Sequence, residues 1–310
     1  MLRRRVSPEE AGLRLADVLV RWLPEVVGHS VAMARARALV AGGGARVDGA
    51  VRRAAGRPVR AGERVEALVR PERLRSRVAS VDRPFRITPR SILYRDDFLL
   101  AVDKPPFLPT HATADPSRPS LVASVAEYLR RSGAGPYLAV HQRLDRDTSG
   151  VVLFATDTRA NKGLARAFEG RKVEKSYLAL TVRPSPLPRR RFRVSAPLAE
   201  PGQGSVRRVT VEGSGARPAE TECLVREVFP AALLVEARPL TGRKHQVRAH
   251  LAHAGMPILG DPVYGRGGDV PRLMLHARRL GLAHPVTGRR LAIESRLPTD
   301  FREVLSRLRP

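Results

Sequence analysis

Cysteine is almost absent. Cys223 stands alone in 310 residues, which excludes a disulfide framework and any thiolate-built zinc site, and fits a reducing, cytoplasmic setting. Aromatic residues make up only 5%, with one tryptophan, too few for a single-strand binder that stacks successive bases on aromatic platforms. Long apolar runs are also missing. The best, such as Val151 to Ala155, falls far short of the ~20 residues that span a bilayer, so no membrane segment is expected. The N-terminus reaches Glu9 and Glu10 before any apolar stretch, unlike a secretory signal. Lysine is scarce, at Lys104, Lys162, Lys172, Lys175 and Lys244 only. No GxSxG elbow, dinucleotide fingerprint or Walker motif occurs, which argues against hydrolase, dehydrogenase and NTPase readings.

What is present is arginine. Lys+Arg total 56, of which 51 are arginine, against 30 Asp+Glu, for a net charge of +26. A chain this basic repels itself and calls for a polyanionic partner. GC-rich coding accounts for most of the preference over lysine, yet the planar guanidinium also suits bidentate phosphate contacts. A hydrophobic share of 43% supports a sizeable core, so this is no disordered basic tail.

The length predicts about two domains. Residues 8–70 read as a small unit. Leu13, Leu15, Val18, Leu19, Trp22 and Leu23 recur at helical spacing, a second helix over Ser30 to Ala41 stops at Gly42-Gly43-Gly44, and short strands follow. Residues 71–90, punctuated by Pro71, Pro84 and Pro89, read as a basic linker. Residues 91–310 read as one mixed α+β domain. A hairpin across Asp96-Asp97 opens it, a helix is N-capped by Ser120, and Val151 to Ala155 form a buried strand. Strands Glu222 to Phe229 and Leu233 to Ala237 pair, a helix spans His245 to Ala254, and a hairpin crosses Pro285 to Gly288. Strands that pair in sequence order, without regular βαβ alternation, argue against a dinucleotide-binding layout.

Three stretches cluster polar residues beside Gly and Pro turns: Val102 to His111, His141 to Gly150, and Leu240 to Leu251 followed by Gly255 to Gly265. Asp145 lies between two arginines in a turn that leads into the core, where nearby positive charge keeps a carboxylate ionised. A purely structural Asp accepting backbone N–H groups is the competing reading. His245 and Arg248, three apart, share a helix face in this reading, and an arginine at a helix start beside glycine and lysine can point at an anion. The spacing of His245, His250 and His253 matches neither HExxH nor a facial triad, which argues against a metal site.

These stretches, DKPPFLPTH, HQRLDRDTSG and TGRKHQVRAHL followed by PILGDPVYG, resemble the RluA-type RNA pseudouridine synthases. The first segment, RLADVLV and then ARVDGAVRRAAGRPVRAGERVEALV, resembles the S4 RNA-binding domain that often precedes them. The resemblance implies a mainly antiparallel catalytic sheet with flanking helices behind a small α+β S4-like domain. It implies Asp145 as catalytic carboxylate and Arg143 as the residue that helps displace the target base. Tyr177 would be catalytic, packing on the uracil and assisting proton removal, Arg248 would pair with Asp145, and Ile258 and Leu259 would line an apolar floor. Gln142 interrupts the family's HRLD, so no role passes to His141, and Phe107 stands where glycine is common. The implied reaction isomerises uridine to pseudouridine in ribosomal or transfer RNA. It needs no cofactor, metal or nucleotide, and a monomer is expected. A non-catalytic RNA-binding or ribosome-assembly factor is the alternative.

Overall fold

The computed structural model describes residues 1–27, 31, 33–69, 85–112, 119–199, 209–211, 213, 215–265 and 270–309. The chain divides into two compact units, Met1–Ala79 and Ser80–Pro310. Residues 71–84 of the expected linker, and Ser30 at the expected helix start, lie outside the described residues.

The first unit holds β1 (Leu2–Arg5), α1 (Leu15–Val27), α2 (Met33–Ala41), β2 (Ala45–Val47), β3 (Ala50–Val51) and β4 (Arg64–Ala67). Its sheet runs β1-β4-β2-β3, antiparallel throughout. The helical periodicity holds: Leu15, Val18, Leu19, Trp22 and Leu23 are buried together with Val47, Val65 and Ala67. The glycine run ends α2 through Gly43 and Gly44 N–H bonds to Val40 and Leu39, with Gly43 at φ 77°. Leu2–Arg5, where the sequence suggested no element, is an edge strand.

The second unit holds β5 (Ile92–Arg95), β6 (Leu99–Lys104), α3 (Leu121–Arg131), β7 (Ser149–Ala155), α4 (Thr158–Glu169) and β8 (Glu174–Val182). It continues with β9 (Arg191–Ser195), β10 (Leu198–Ala199), β11 (Thr210–Val211), β12 (Glu220–Val228) and β13 (Ala232–Pro239). After α5 (Gln246–His253) come β14 (Leu275–Ala283), β15 (Arg290–Glu294) and α6 (Thr299–Leu308). The main sheet has nine strands in the order β5-β6-β7-β14-β8-β13-β12-β9, with β15 on β14. Every pairing in it is antiparallel except β7 with β14. The expectation of pairing in sequence order therefore fails at the centre, where β14 sits between β7 and β8.

The period-two alternation of strands explains the layers. Leu100, Val102, Val152 and Phe154 meet Leu121, Val125 and Leu129 of α3. The alternate residues Leu99, Ala101 and Leu153 meet Ala160 and Leu164 of α4. Being covered on both faces is why β7 is apolar without interruption from Val151 to Ala155. Ser120 caps α3, accepting from Ala123 N at 3.2 Å. The far half of the sheet packs Leu180, Val235 and Leu275 on α5 and α6 through Val247, Leu251 and Phe301. Gly150 marks the junction of β7 and β14. Its φ is 117°, and a Cβ there would lie 2.1 Å from Ala277 O, so only glycine fits.

Candidate active site

Asp145 sits in the turn before β7, with Thr148 N–H bonded to its carbonyl at 3.1 Å. The preceding proline-rich stretch braces this turn. Lys104, at the end of β6, is fully buried and its Nζ donates to Leu108 O at 2.7 Å, Pro105 O at 3.0 Å and Arg146 O at 3.1 Å. Burial pulls this ammonium down to about 7, with Asp147 and Asp145 opposing the shift. Thr110 Oγ1 donates to Leu144 O at 3.0 Å and accepts from Leu144 N at 3.1 Å. The proline-rich stretch thus clamps the Asp145 loop by hydrogen bonds, a role its sequence did not spell out. Phe107 adopts φ 68°, the left-handed region where glycine is strain-free; the backbone turn survives the larger residue.

The inserted Gln142 is accommodated through a bond from Nε2 to Val151 O at 3.2 Å. His141 meets Asn161 Oδ1 at 2.6 Å. Arg143 is exposed at the rim of a cavity of about 630 Å³, within the usual ~300–1,000 Å³ of ligand pockets. The same cavity is lined by Asp145, Tyr177, Lys175, His245, Arg248 and, on its apolar side, Val247 and Leu275.

The floor of the cavity holds three charges in line. Arg248 Nη1 donates to Asp145 Oδ2 at 2.8 Å, while Nε and Nη2 grip Asp261 Oδ2 and Oδ1 at 2.8 and 2.9 Å. Asp261 is completely buried and also accepts from Val263 N at 2.8 Å and Tyr264 N at 3.1 Å. Burial pushes its carboxyl up, but the Arg248 fork and the two backbone donors outweigh it and hold the group below its ordinary value. For Arg248, burial pulls downward and the two carboxylates prevail, raising it. The Tyr264 ring covers Arg248, with Cζ 5.3 Å from the ring centre. One arginine is thereby fixed by a buried acid so that its remaining N–H aims at Asp145.

The helix begins one residue later than expected: α5 starts at Gln246, and His245 stands outside it at φ 53°. His245 nevertheless faces the same carboxylate, with Nε2 3.7 Å from Asp145 Oδ2. Tyr177 comes from β8, and burial followed by the charge of Asp145 raises its phenol. Ile258 and Leu259 are absent from the cavity wall. They pack behind it in the cluster that includes Tyr177 and Leu275. His250 is buried, bonded to Thr221 Oγ1 and Ala196 O, both at 2.9 Å. The sequence reading passed over Asp261 and Tyr264. Their signal lay in PILGDPVYG, where an Asp between Gly and Pro accepts backbone N–H groups two and three residues on.

An oriented carboxylate under a rim of cations has the character of an enzyme site for an anionic substrate. The model of the RNA pseudouridylate synthase family matches residues 98–253. Ribosomal large subunit pseudouridine synthase C of Buchnera aphidicola subsp. Schizaphis graminum is 33% identical over 228 residues, 70% of each chain. Ribosomal large subunit pseudouridine synthase D of Xanthomonas campestris pv. campestris is 31% identical across 99% of this chain and 93% of its own. The solved structure of human RNA Pseudouridylate Synthase Domain Containing 4 superposes with a TM-score of 0.58 at 29% identity, covering 71% of this chain and 93% of that one. The chain belongs to the RNA pseudouridylate synthase family, enzymes that isomerise uridine in RNA.

Proposed function

We propose that this enzyme acts on chosen uridines of large-subunit ribosomal RNA, with Asp145 as the catalytic carboxylate on a flipped-out base. The observation that carries the reading is the Asp145–Arg248–Asp261 relay at the floor of the cavity. The ribosomal substrate follows the names of the relatives. Breaking the N1–C1′ bond, turning the uracil and joining C5 to C1′ conserves every atom, so the reaction calls for no cofactor. What it calls for is a carboxylate held in place, an apolar contact for the base and cations for the backbone. Arg143 at the rim is suited to hold the site from which the base was drawn, and Tyr177 with Val247 and Leu275 to contact the uracil. Ile258 and Leu259 support that wall from behind.

Taking the base out of its stack costs a few kcal/mol, which phosphate contacts offset. The first unit, read as S4-like over residues 8–70, supplies candidates in its exposed Arg3, Arg5, Arg21, Arg46, Arg53 and Arg60. The reading places the protein in the cytoplasm as a monomer. The test is chemical mapping of pseudouridine in ribosomal and transfer RNA incubated with the wild type and with Asp145→Asn. New pseudouridine in ribosomal RNA with the wild type alone is the expected result. Identical maps would remove the catalytic reading, and modification confined to transfer RNA would remove the substrate.

A further inference from the structure

The isomerisation moves a proton as well as a glycosidic bond. Hydrogen leaves uracil C5 and N1 ends protonated, so the cavity must offer a group that is unprotonated at neutral pH and free to accept. The phenol of Tyr177 is held in its protonated form. Arg248 is committed to Asp261 and Asp145, Lys175 carries its proton towards Thr241 O at 3.4 Å, and His141 is engaged by Asn161. His111 and Glu169 are exposed at the rim.

His245 differs from all of these. Its backbone occupies the left-handed region at φ 53°, a conformation that costs a non-glycine residue about 1 kcal/mol or more and clusters at functional sites. The ring stands edge-on to Tyr264, with centroids 5.9 Å apart, and Nδ1 lies 3.3 Å from the Tyr264 hydroxyl. That hydroxyl accepts from Val209 N at 2.9 Å and gives its own proton to Val209 O at 3.3 Å. In the tautomer whose Nδ1–H donates to this hydroxyl, Nε2 is left unprotonated. The lone pair then resides on Nε2, the nitrogen 3.7 Å from Asp145, too far for a formed bond. Burial keeps the imidazole below its ordinary value; Asp145 and Asp261 oppose this, and Arg248 and Lys244 reinforce it.

We propose that His245 Nε2 is the proton acceptor of the isomerisation, a role that rests on the reading of Asp145 as the catalytic carboxylate. Once C5 has bonded to C1′, the C5–H bond breaks and its proton passes to Nε2. The freed electron pair re-forms the C5=C6 double bond, the C6=N1 pair moves onto N1, and N1 takes the proton back from His245. No oxidant or further reactant enters.

The experiment uses the full chain, an RNA transcript carrying 5-deuterouridine at the target, and two variants that tolerate a left-handed backbone, His245→Asn and His245→Gly. Turnover of His245→Asn is expected to fall about 10²–10⁴-fold, the usual contribution of a general base, with RNA affinity kept. The deuterated transcript is expected to react more slowly than the protiated one by a larger factor in this variant than in the wild type. Added imidazole is expected to restore part of the turnover of His245→Gly through the open cavity. An isotope ratio equal to that of the wild type, wild-type turnover in His245→Asn, or no rescue of His245→Gly would overturn the proposal. In each of those cases a dead Asp145→Asn leaves the carboxylate reading standing, whereas an active Asp145→Asn removes that reading itself.

Discussion

Replacing Asp261 by asparagine tests whether the relay beneath the cavity is real. The substitution keeps the volume and removes the charge. Asp261 Oδ1 faces three donors, Arg248 Nη2, Val263 N and Tyr264 N, while Oδ2 faces Arg248 Nε alone. The single oxygen of asparagine is best placed at the three-donor position. Its NH₂ then confronts Arg248 Nε–H across 2.8 Å, donor against donor, and the guanidinium must turn away. Breaking one partner out of a buried pair costs about 3–5 kcal/mol. For a unit of this size each kcal/mol lowers Tm by about 2–4 °C, so a fall of roughly 10 °C is expected. Arg248 would leave Asp145 as it turns, and a displacement near 1 Å costs about 10²-fold in rate. Thermal denaturation followed by circular dichroism measures the first effect, and single-turnover pseudouridine formation the second. A variant with wild-type Tm and wild-type rate would refute the claim that Asp261 aims Arg248 at Asp145.

Three more outcomes follow from the same geometry. Gly150→Ala puts a Cβ 2.1 Å from Ala277 O at φ 117°. It should cost about 3 kcal/mol or more in urea denaturation, and an unchanged midpoint would contradict the close approach of β7 to β14. His276 is buried between Ser149 Oγ at 3.0 Å and Ser295 O, and burial lowers it from 6.5 to about 4. Because the unfolded state binds its proton first, stability is full above pH 6.5 and declines by about 3 kcal/mol as pH falls to 4. His276→Asn should flatten that part of the acid limb of the stability curve, and an unaltered limb would count against the linkage. RNA affinity should fall by about 10³-fold or more between 50 and 200 mM salt if six or more phosphates are contacted, and a flat titration would refute backbone recognition.

The helices and strands with a clean period were readable from sequence because both faces of each element have a fixed fate. The α3 cap at Ser120, the apolar run Val151 to Ala155 of β7 and the α1 stripe each satisfy a local rule. Strand order was not readable, since the placement of β14 beside β7 depends on a Gly150–Ala277 approach between residues far apart in the chain. Within the site, Asp145, Tyr177 and Arg248 were singled out by family motifs, and the structure brings all three to one cavity. Asp261 escaped because an aspartate in a Gly-Asp-Pro turn looks the same whether it binds only backbone donors or also an arginine. Ile258 and Leu259 pack behind the cavity wall, and hydrophobicity alone does not distinguish a wall from the packing behind it.

The central position of β14 also bears on how the protein is made. β7 ends at Ala155 and its parallel neighbour begins at Leu275, so roughly 120 residues must be added before that edge of β7 is paired. At about 5–20 residues per second, a nascent chain spends on the order of 6–24 s with Ser149 and Gly150, the part of that edge that pairs with β14, left open. Pairings of such high sequence separation are also the slow ones to form. Synthesis of this protein therefore places a demand on whatever shields nascent strands. A chain stopped before Leu275 would carry Asp145 and Arg248 without the strand that joins β7 to β8.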